Sequence, residues 1–123
     1  MTRVFGILGF PVEHSLSPIM HAAAFQALGL DAIYAPFAVP PRKLAAVLRG
    51  LEVAGVDGLN VTVPHKEQLF RSLGKRVDCS ASSVGAVNTL IRQNKQLVGY
   101  NTDLPALLSI LSKRVRLRFK KHA

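Results

Sequence analysis

Val4-Phe5-Gly6-Ile7-Leu8-Gly9-Phe10, closed at once by Pro11 and followed by Ser17-Pro18, decides the fold class. A short unbroken apolar run bounded by proline has the pattern of a strand covered on both faces, as in a parallel sheet. Ser17-Pro18 reads as a helix start, with serine as the cap and proline at the first helical position. The helix it opens carries Met20, Ala24, Ala27 and Leu28 on one face and ends near Gly29.

The same alternation continues outward. Ala32 to Val39 reads as a strand stopped by Pro40-Pro41, and Leu44, Val47, Leu48 and Leu51 mark a helix ending by Gly55. Asp57 to Val63 is the next strand, and Pro64 opens a helix containing Phe70. Val77 to Ser83 reads as a short helix. Ala86 to Arg92, the polar turn Gln93-Asn94-Lys95 and Gln96 to Tyr100 read as a hairpin. Thr102 caps a last helix with Leu104, Leu107, Leu108 and Leu111 on its buried side. The expectation is an α/β fold, a three-layer sandwich with a mostly parallel sheet and helices on both faces.

Composition sets limits. The chain has 123 residues, 49% of them hydrophobic, enough for one ordinary domain. Sixteen Lys and Arg against seven Asp and Glu give a net charge of +9. Six of those bases follow Ser112, where no acid occurs, so the body retains ten bases and seven acids. Residues 4–112 therefore read as one nearly balanced domain and 113–123 as a basic tail. Six bases without interleaved readout residues predict non-specific, salt-sensitive attraction to nucleic acid and no specific site. The tail alternates Val115, Leu117 and Phe119 with basic residues, which fits an edge strand or the start of a further element. A single cysteine, Cys79, excludes an internal disulfide and a cysteine-based zinc site. No apolar run approaches the roughly 18 residues of a membrane span. Val4 to Phe10 has only Arg3 before it, which does not suit a signal peptide. The expected location is the cytoplasm.

In an open α/β sheet, ligands bind beyond the carboxyl ends of the strands, and polar residues collect there. The first strand leads into Glu13-His14-Ser15-Leu16-Ser17, and the third into Asn60-Val61-Thr62-Val63-Pro64-His65-Lys66. The hairpin begins with Asn88-Thr89 and leads into Asn101-Thr102-Asp103. Hydroxyls, amides, a lysine and a carboxylate are suited to gripping a small polyhydroxylated anion. No phosphate cradle is present, because Gly6-x-x-Gly9 lies inside a strand and lacks the G-x-G-x-x-G spacing. Taken singly, each residue has a plainer reading. Lys66 suits a solvated surface, Ser17 and Thr102 suit helix caps, and Asn60 and Asn88 suit strand ends. Asp103 suits a helix dipole, and His14, His21 and His65 lack metal-ligand spacing.

Their joint occurrence changes the balance. Gly9-Phe-Pro-Val-Glu-His-Ser15-Leu-Ser17-Pro18, Asn60-Val-Thr62-Val-Pro64-His-Lys66, Gly85-Ala-Val-Asn88-Thr89 and Gly99-Tyr-Asn101-Thr-Asp103 occur in order, with Asp78-x-x-Ala81 between the second and third. Over residues 4 to 111 this closely resembles the N-terminal, substrate-binding domain of shikimate dehydrogenase. The resemblance implies NADPH-dependent reduction of 3-dehydroshikimate to shikimate, in chorismate and aromatic amino-acid biosynthesis. It implies that Ser15 and Ser17 hold the substrate carboxylate. Asn60, Thr62, Asn88 and Asp103 would bind ring hydroxyls, and Lys66 with Asp103 would form the catalytic pair.

Two departures accompany it. Leu104-Pro105-Ala106 replaces the glycine-containing stretch that follows Asn-Thr-Asp in the family. The family's NADP-binding Rossmann domain has no counterpart, and the eleven residues after Ser112 fall short of the about 30 that a βαβ unit needs. The expectation is a substrate-binding half that holds no NADP(H) and no metal, and is inactive alone. Its partner is a small-molecule acid, with no membrane, and a homodimer stays open. The alternative is a stand-alone module binding shikimate- or quinate-like acids.

Overall fold

The computed structural model describes residues 1–103, 106 and 109–113. Five strands form one sheet in the order β2-β1-β3-β4-β5, with β1 at Arg3–Gly9, β2 at Ala32–Ala38, β3 at Gly58–Val61, β4 at Thr89–Gln93 and β5 at Gln96–Tyr100. β1 pairs in parallel with both β2 and β3, while β4 is antiparallel to β3 and to β5. Four strands thus share one direction and β4 alone is reversed. The reversal has a functional consequence. β4 starts where β3 and β5 end, so residues just before β4 meet residues just after the parallel strands.

The helices are α1 (Ser17–Leu28), α2 (Leu44–Ala54), α3 (Lys66–Leu73) and the single turn α4 (Cys79–Ser82). One sheet face forms the core with α2, α3 and α4. Leu8, Leu90 and Leu97 from the strands interlock with Leu44, Leu48, Leu69, Leu73 and Ala81 from the helices. Beside it, Glu52 of α2 accepts the Arg76 guanidinium at 2.6 Å and the Leu97 N–H at 2.7 Å, clamping α2 to the hairpin. The hairpin turn is two residues, Asn94 and Lys95, both at positive φ as a tight turn of this hand requires.

The other face is covered by α1, and here the expected burial is wrong. Met20 and Leu28 are 65% and 71% exposed, Ala24 and Ala27 are exposed, and α1 buries no residue fully. The helix instead lays aromatic rings on the sheet. Phe25 packs on Phe5 with centroids 5.6 Å apart, and His21 stacks on Tyr34. The period of 3.6 holds but the phase is set by His21 and Phe25, because flat rings fit over β1 and β2 and offer more contact area than the alanines.

Boundaries also move: β3 stops at Val61, short of Val63, and α4 is confined to Cys79–Ser82, within the expected Val77 to Ser83. Ser17 does not cap α1; Leu16 occupies the cap position, and Ser15 Oγ accepts the Ser17 N–H at 3.2 Å. α3 begins at Lys66 and not at Pro64, because Thr62 to His65 form a turn closed by His65 N–H to Thr62 O at 3.1 Å. β4 begins at Thr89; Asn88 before it still bonds by its backbone to Val61 and Tyr100, while the Val87 N–H turns to Lys66 O. Asp103, Ala106 and residues 109–113 are helical, and Leu111, expected inside, is 48% exposed. Leu104, Leu107, Leu108 and the basic tail beyond Lys113 lie outside the described residues. No helix among the described residues is long and apolar enough to cross a membrane.

Candidate functional site

The carboxyl ends of β1 and β3 are drawn together by backbone bonds. Thr62 N–H donates to Leu8 O at 2.9 Å, Phe10 N–H to Val63 O at 3.1 Å, and Val39 N–H to Gly9 O at 2.9 Å. Gly9 is required for this closeness: a Cβ there would run into the Thr62 methyl, and would stand 2.8 Å from Val12 Cγ1. Gly6 is likewise packed, with Phe37 under it. The Gly6-x-x-Gly9 stretch lies within β1 and forms no loop.

Lys66 is the first residue of α3, a place where the helix dipole disfavours a cation. It stays there because it has a partner. Its Nζ donates to Asp103 Oδ2 at 3.3 Å, bridging 37 residues of sequence. The Lys66 and Asp103 side chains are 34% and 66% exposed, so the pair is open to an incoming ligand. Its geometry is imposed by the backbone around it. Lys66 O accepts the Val87 N–H at 2.9 Å, which fixes the 85–88 segment against the start of α3. Asn88, 8% exposed, then binds Thr102 twice, accepting its N–H and donating to its Oγ1, both at 3.0 Å. Asn101, 3% exposed, accepts the Asp103 N–H at 2.9 Å and donates to Ala86 O at 3.1 Å. Asp103 is thereby held facing Lys66.

Asn88 Oδ1 takes a further bond from Thr89 Oγ1 at 3.0 Å, so its amide is committed to the scaffold apart from one N–H. Ser15 and Ser17 sit together where β1 hands over to α1, both half-buried, and are bonded to each other through the Ser15 hydroxyl. Asn60 is exposed at the end of β3, and its Oδ1 accepts the Tyr34 hydroxyl at 2.7 Å. Thr62 is half-buried beside Gly9. All seven predicted residues therefore lie at one edge of the sheet. Direct bonds join Lys66 to Asp103 and Ser15 to Ser17; Asn60 and Thr62 are placed by the strand that carries them.

Three further residues shape the site: Tyr34, which the sequence reading does not name, and Asn101 and His65, which it names without these roles. Tyr34 contacts Asn60 across β1, and burial raises its phenol above the ordinary value, with a Ser17 side-chain hydrogen bond pulling the other way. Nothing local marks it, since it is one alternate residue of a strand. Asn101 was visible only as a member of a motif. His65, fully buried, donates Nε2–H to Val39 O at 2.7 Å and anchors the turn before Lys66. A groove of about 340 Å³ runs from Asn60 and Thr89 past Tyr34 and His21 to Phe25 and Ile91. No group of three or more potential metal ligands occurs among the described residues.

Comparison with known proteins shows the family and the fold. Residues 7–90 match the family model described as the shikimate dehydrogenase substrate binding domain. A relative from Geobacter metallireducens, named shikimate dehydrogenase (NADP(+)), is 55% identical over 102 residues, covering 83% of this chain and 35% of its own length. A crystal structure of shikimate 5-dehydrogenase from Listeria monocytogenes, in complex with shikimate and NAD, superposes with a TM-score of 0.82. It is 35% identical, with 92% of this chain and 39% of that chain covered. The ligand-free 5-ketofructose reductase of a Gluconobacter species also gives a TM-score of 0.82, at 28% identity, over 92% of this chain and 40% of its own. The chain spans under half the length of these relatives.

Proposed function

Because the chain belongs to the shikimate dehydrogenase substrate-binding domain family, we propose that it is the part of a cytoplasmic dehydrogenase that grips shikimate and 3-dehydroshikimate. The observation that carries this reading is the Lys66–Asp103 contact, 3.3 Å across 37 residues, held in place by Asn88 and Asn101. A cation at a helix N-terminus, supported by a carboxylate and a network of amides, is costly as decoration and useful as a proton donor.

Ser15 and Ser17 take the carboxylate, using hydroxyls at the start of α1, where helix N–H groups also favour an anion. Asn60, Thr62, Asn88 and Asp103 take ring hydroxyls. Lys66 Nζ gives a proton to the oxygen of the reduced carbonyl, and Asp103 orients the ammonium and supports its charge. NADP(H) supplies the hydride in relatives named for it. The packed glycines of β1 do not fit it, and its binding belongs to polypeptide outside these residues. On this account the 123-residue chain alone does not oxidise NADPH with 3-dehydroshikimate. Steady turnover by the purified chain contradicts that.

A second reading is a stand-alone module for shikimate- or quinate-like acids, favoured by the location of the whole acid-gripping set on this one chain. The mass of the natural gene product separates the two. The ligand assignment itself is tested by titrating shikimate and its uncharged methyl ester into wild type and Ser15→Ala. Wild type prefers the acid and Ser15→Ala loses much of that preference; an unchanged preference contradicts the placement of the carboxylate.

A further inference from the structure

We propose that Tyr34 is a positioning residue for ligand recognition: its hydroxyl holds Asn60 Oδ1 at 2.7 Å, so that Asn60 presents its Nδ2 donors to the bound molecule. The proposal rests on the reading of Asn60 as a ligand contact and adds how that contact is oriented.

Tyr34 stands opposite Phe5 in the β1–β2 ladder, while Asn60 stands opposite Ile7 in the β1–β3 ladder. The phenol therefore reaches diagonally over β1 to a residue two strands away. Two features hold it there. The His21 ring stacks on it with centroids 4.1 Å apart and planes 8° from parallel. His21 is itself fixed, since Nδ1 lies 2.9 Å from Ser17 O, and a carbonyl only accepts, so Nδ1 carries the proton. The direction of the Tyr34–Asn60 bond is set by its acceptor, since an amide carbonyl oxygen only accepts. The phenol proton then goes to the carbonyl oxygen of Asn60 and leaves the amide nitrogen facing outward.

The consequence is chemical. An unrestrained asparagine can offer a ligand either a carbonyl or an amide, and pays entropy to choose. With Oδ1 held by the phenol, the Nδ2 group of Asn60 is turned away from Tyr34, and a ligand oxygen that accepts, whether hydroxyl or ketone, meets the same two N–H groups. Both the oxidised and the reduced form of a polyol acid satisfy that demand.

The test is a double-mutant cycle read by NMR titration of the 123-residue chain with shikimate, with folding checked from the dispersion of the same spectra. Tyr34→Phe keeps the ring on His21 and removes only the hydroxyl. It is expected to weaken shikimate about fivefold in the wild-type background, the size of one neutral hydrogen bond, and to have no further effect in an Asn60→Ala background. Equal weakening in both backgrounds shows a general packing role and overturns the inference while leaving the site reading intact. Asn60→Ala that binds as wild type removes Asn60 from the site, and overturns that part of the site reading and this inference together. Asn60→Asp keeps an acceptor for Tyr34 and loses both N–H donors, so it is expected to weaken shikimate at least as much as Asn60→Ala. Wild-type affinity in Asn60→Asp overturns the donor assignment.

Discussion

Asn88 and Thr102 are bonded to each other twice, side-chain amide to hydroxyl and backbone N–H to amide oxygen, at 3.0 Å each. This pair joins the segment before β4 to the segment after β5, and it sets where the next residue, Asp103, projects. The reversed strand β4 makes the pairing possible, because its start lies beside the end of β5.

Replacing Asn88 by Ala removes both bonds and leaves the Thr102 N–H without its partner, at a cost of about 1–3 kcal/mol of folding stability. It also frees Asp103 from Lys66, so shikimate affinity falls by more than the loss of one ligand contact. Urea denaturation and titration on the same protein check both effects. Stability and affinity both within error of wild type contradict the role given to Asn88.

His65→Phe fills the same space and removes the donor to Val39 O, whose bond is buried and 2.7 Å long. The stranded carbonyl costs about 1–3 kcal/mol. His65 Nδ1 is buried with no partner of its own, so the phenylalanine also relieves a buried polar atom. The net loss is therefore expected at the lower end of that range, with Lys66 less well placed and ligand affinity reduced. A melting temperature above wild type, with unchanged affinity, contradicts the anchoring role.

Two groups shape the pH profile of stability. Burial raises the Tyr34 phenol above 10.0, so the folded state keeps its proton while the unfolded state ionises. Stability from this source is complete below about pH 10 and is lost as pH rises through the folded value. Asp78 runs the other way. Its carboxylate accepts the Ser80 N–H at 3.0 Å as the cap of α4, which lowers its pKa below 3.8. That contribution is present above about pH 4 and is lost as pH falls through the lowered value. Stability measured across pH is expected to lose part of its acid limb in Asp78→Asn and part of its alkaline fall in Tyr34→Phe. Profiles that superpose on wild type contradict both assignments.

Much of this was legible in the residues. The apolar run of β1, the stops at Pro40-Pro41 and the polar turn of the hairpin each name a local event with a local cause, and the α/β class with a mostly parallel sheet follows from alternation. Lys66 and Asp103 were identified together by motif resemblance, although no local pattern shows that they touch. Phase and boundaries were harder to see. α1 contains aliphatic residues on several sides, so periodicity leaves its buried face undetermined, and the stacking of His21 on Tyr34 is a property of the assembled sheet. The start of α3 was displaced because Thr62 to His65 satisfy their backbone in a turn. The Tyr34–Asn60 bond depends on two ladder registers at once, and a sequence holds no short-range signal for that.

The central claim is that these residues form an acid-gripping site at the carboxyl edge of the sheet. It is tested most directly by mapping backbone amide shifts while shikimate is added to the isotope-labelled chain. The site is open to water, each neutral hydrogen bond nets about 1 kcal/mol, and association entropy costs at least about 4 kcal/mol. The expected dissociation constant is therefore millimolar or weaker, about −4 kcal/mol or less in magnitude. The account predicts shifts at Ser15, Ser17, Asn60, Thr62, Lys66, Asn88 and Asp103, reduced by Lys66→Ala. Shifts confined to residues 113–123, unchanged in Lys66→Ala and Ser15→Ala, would contradict it and make the acid a counter-ion of the basic tail.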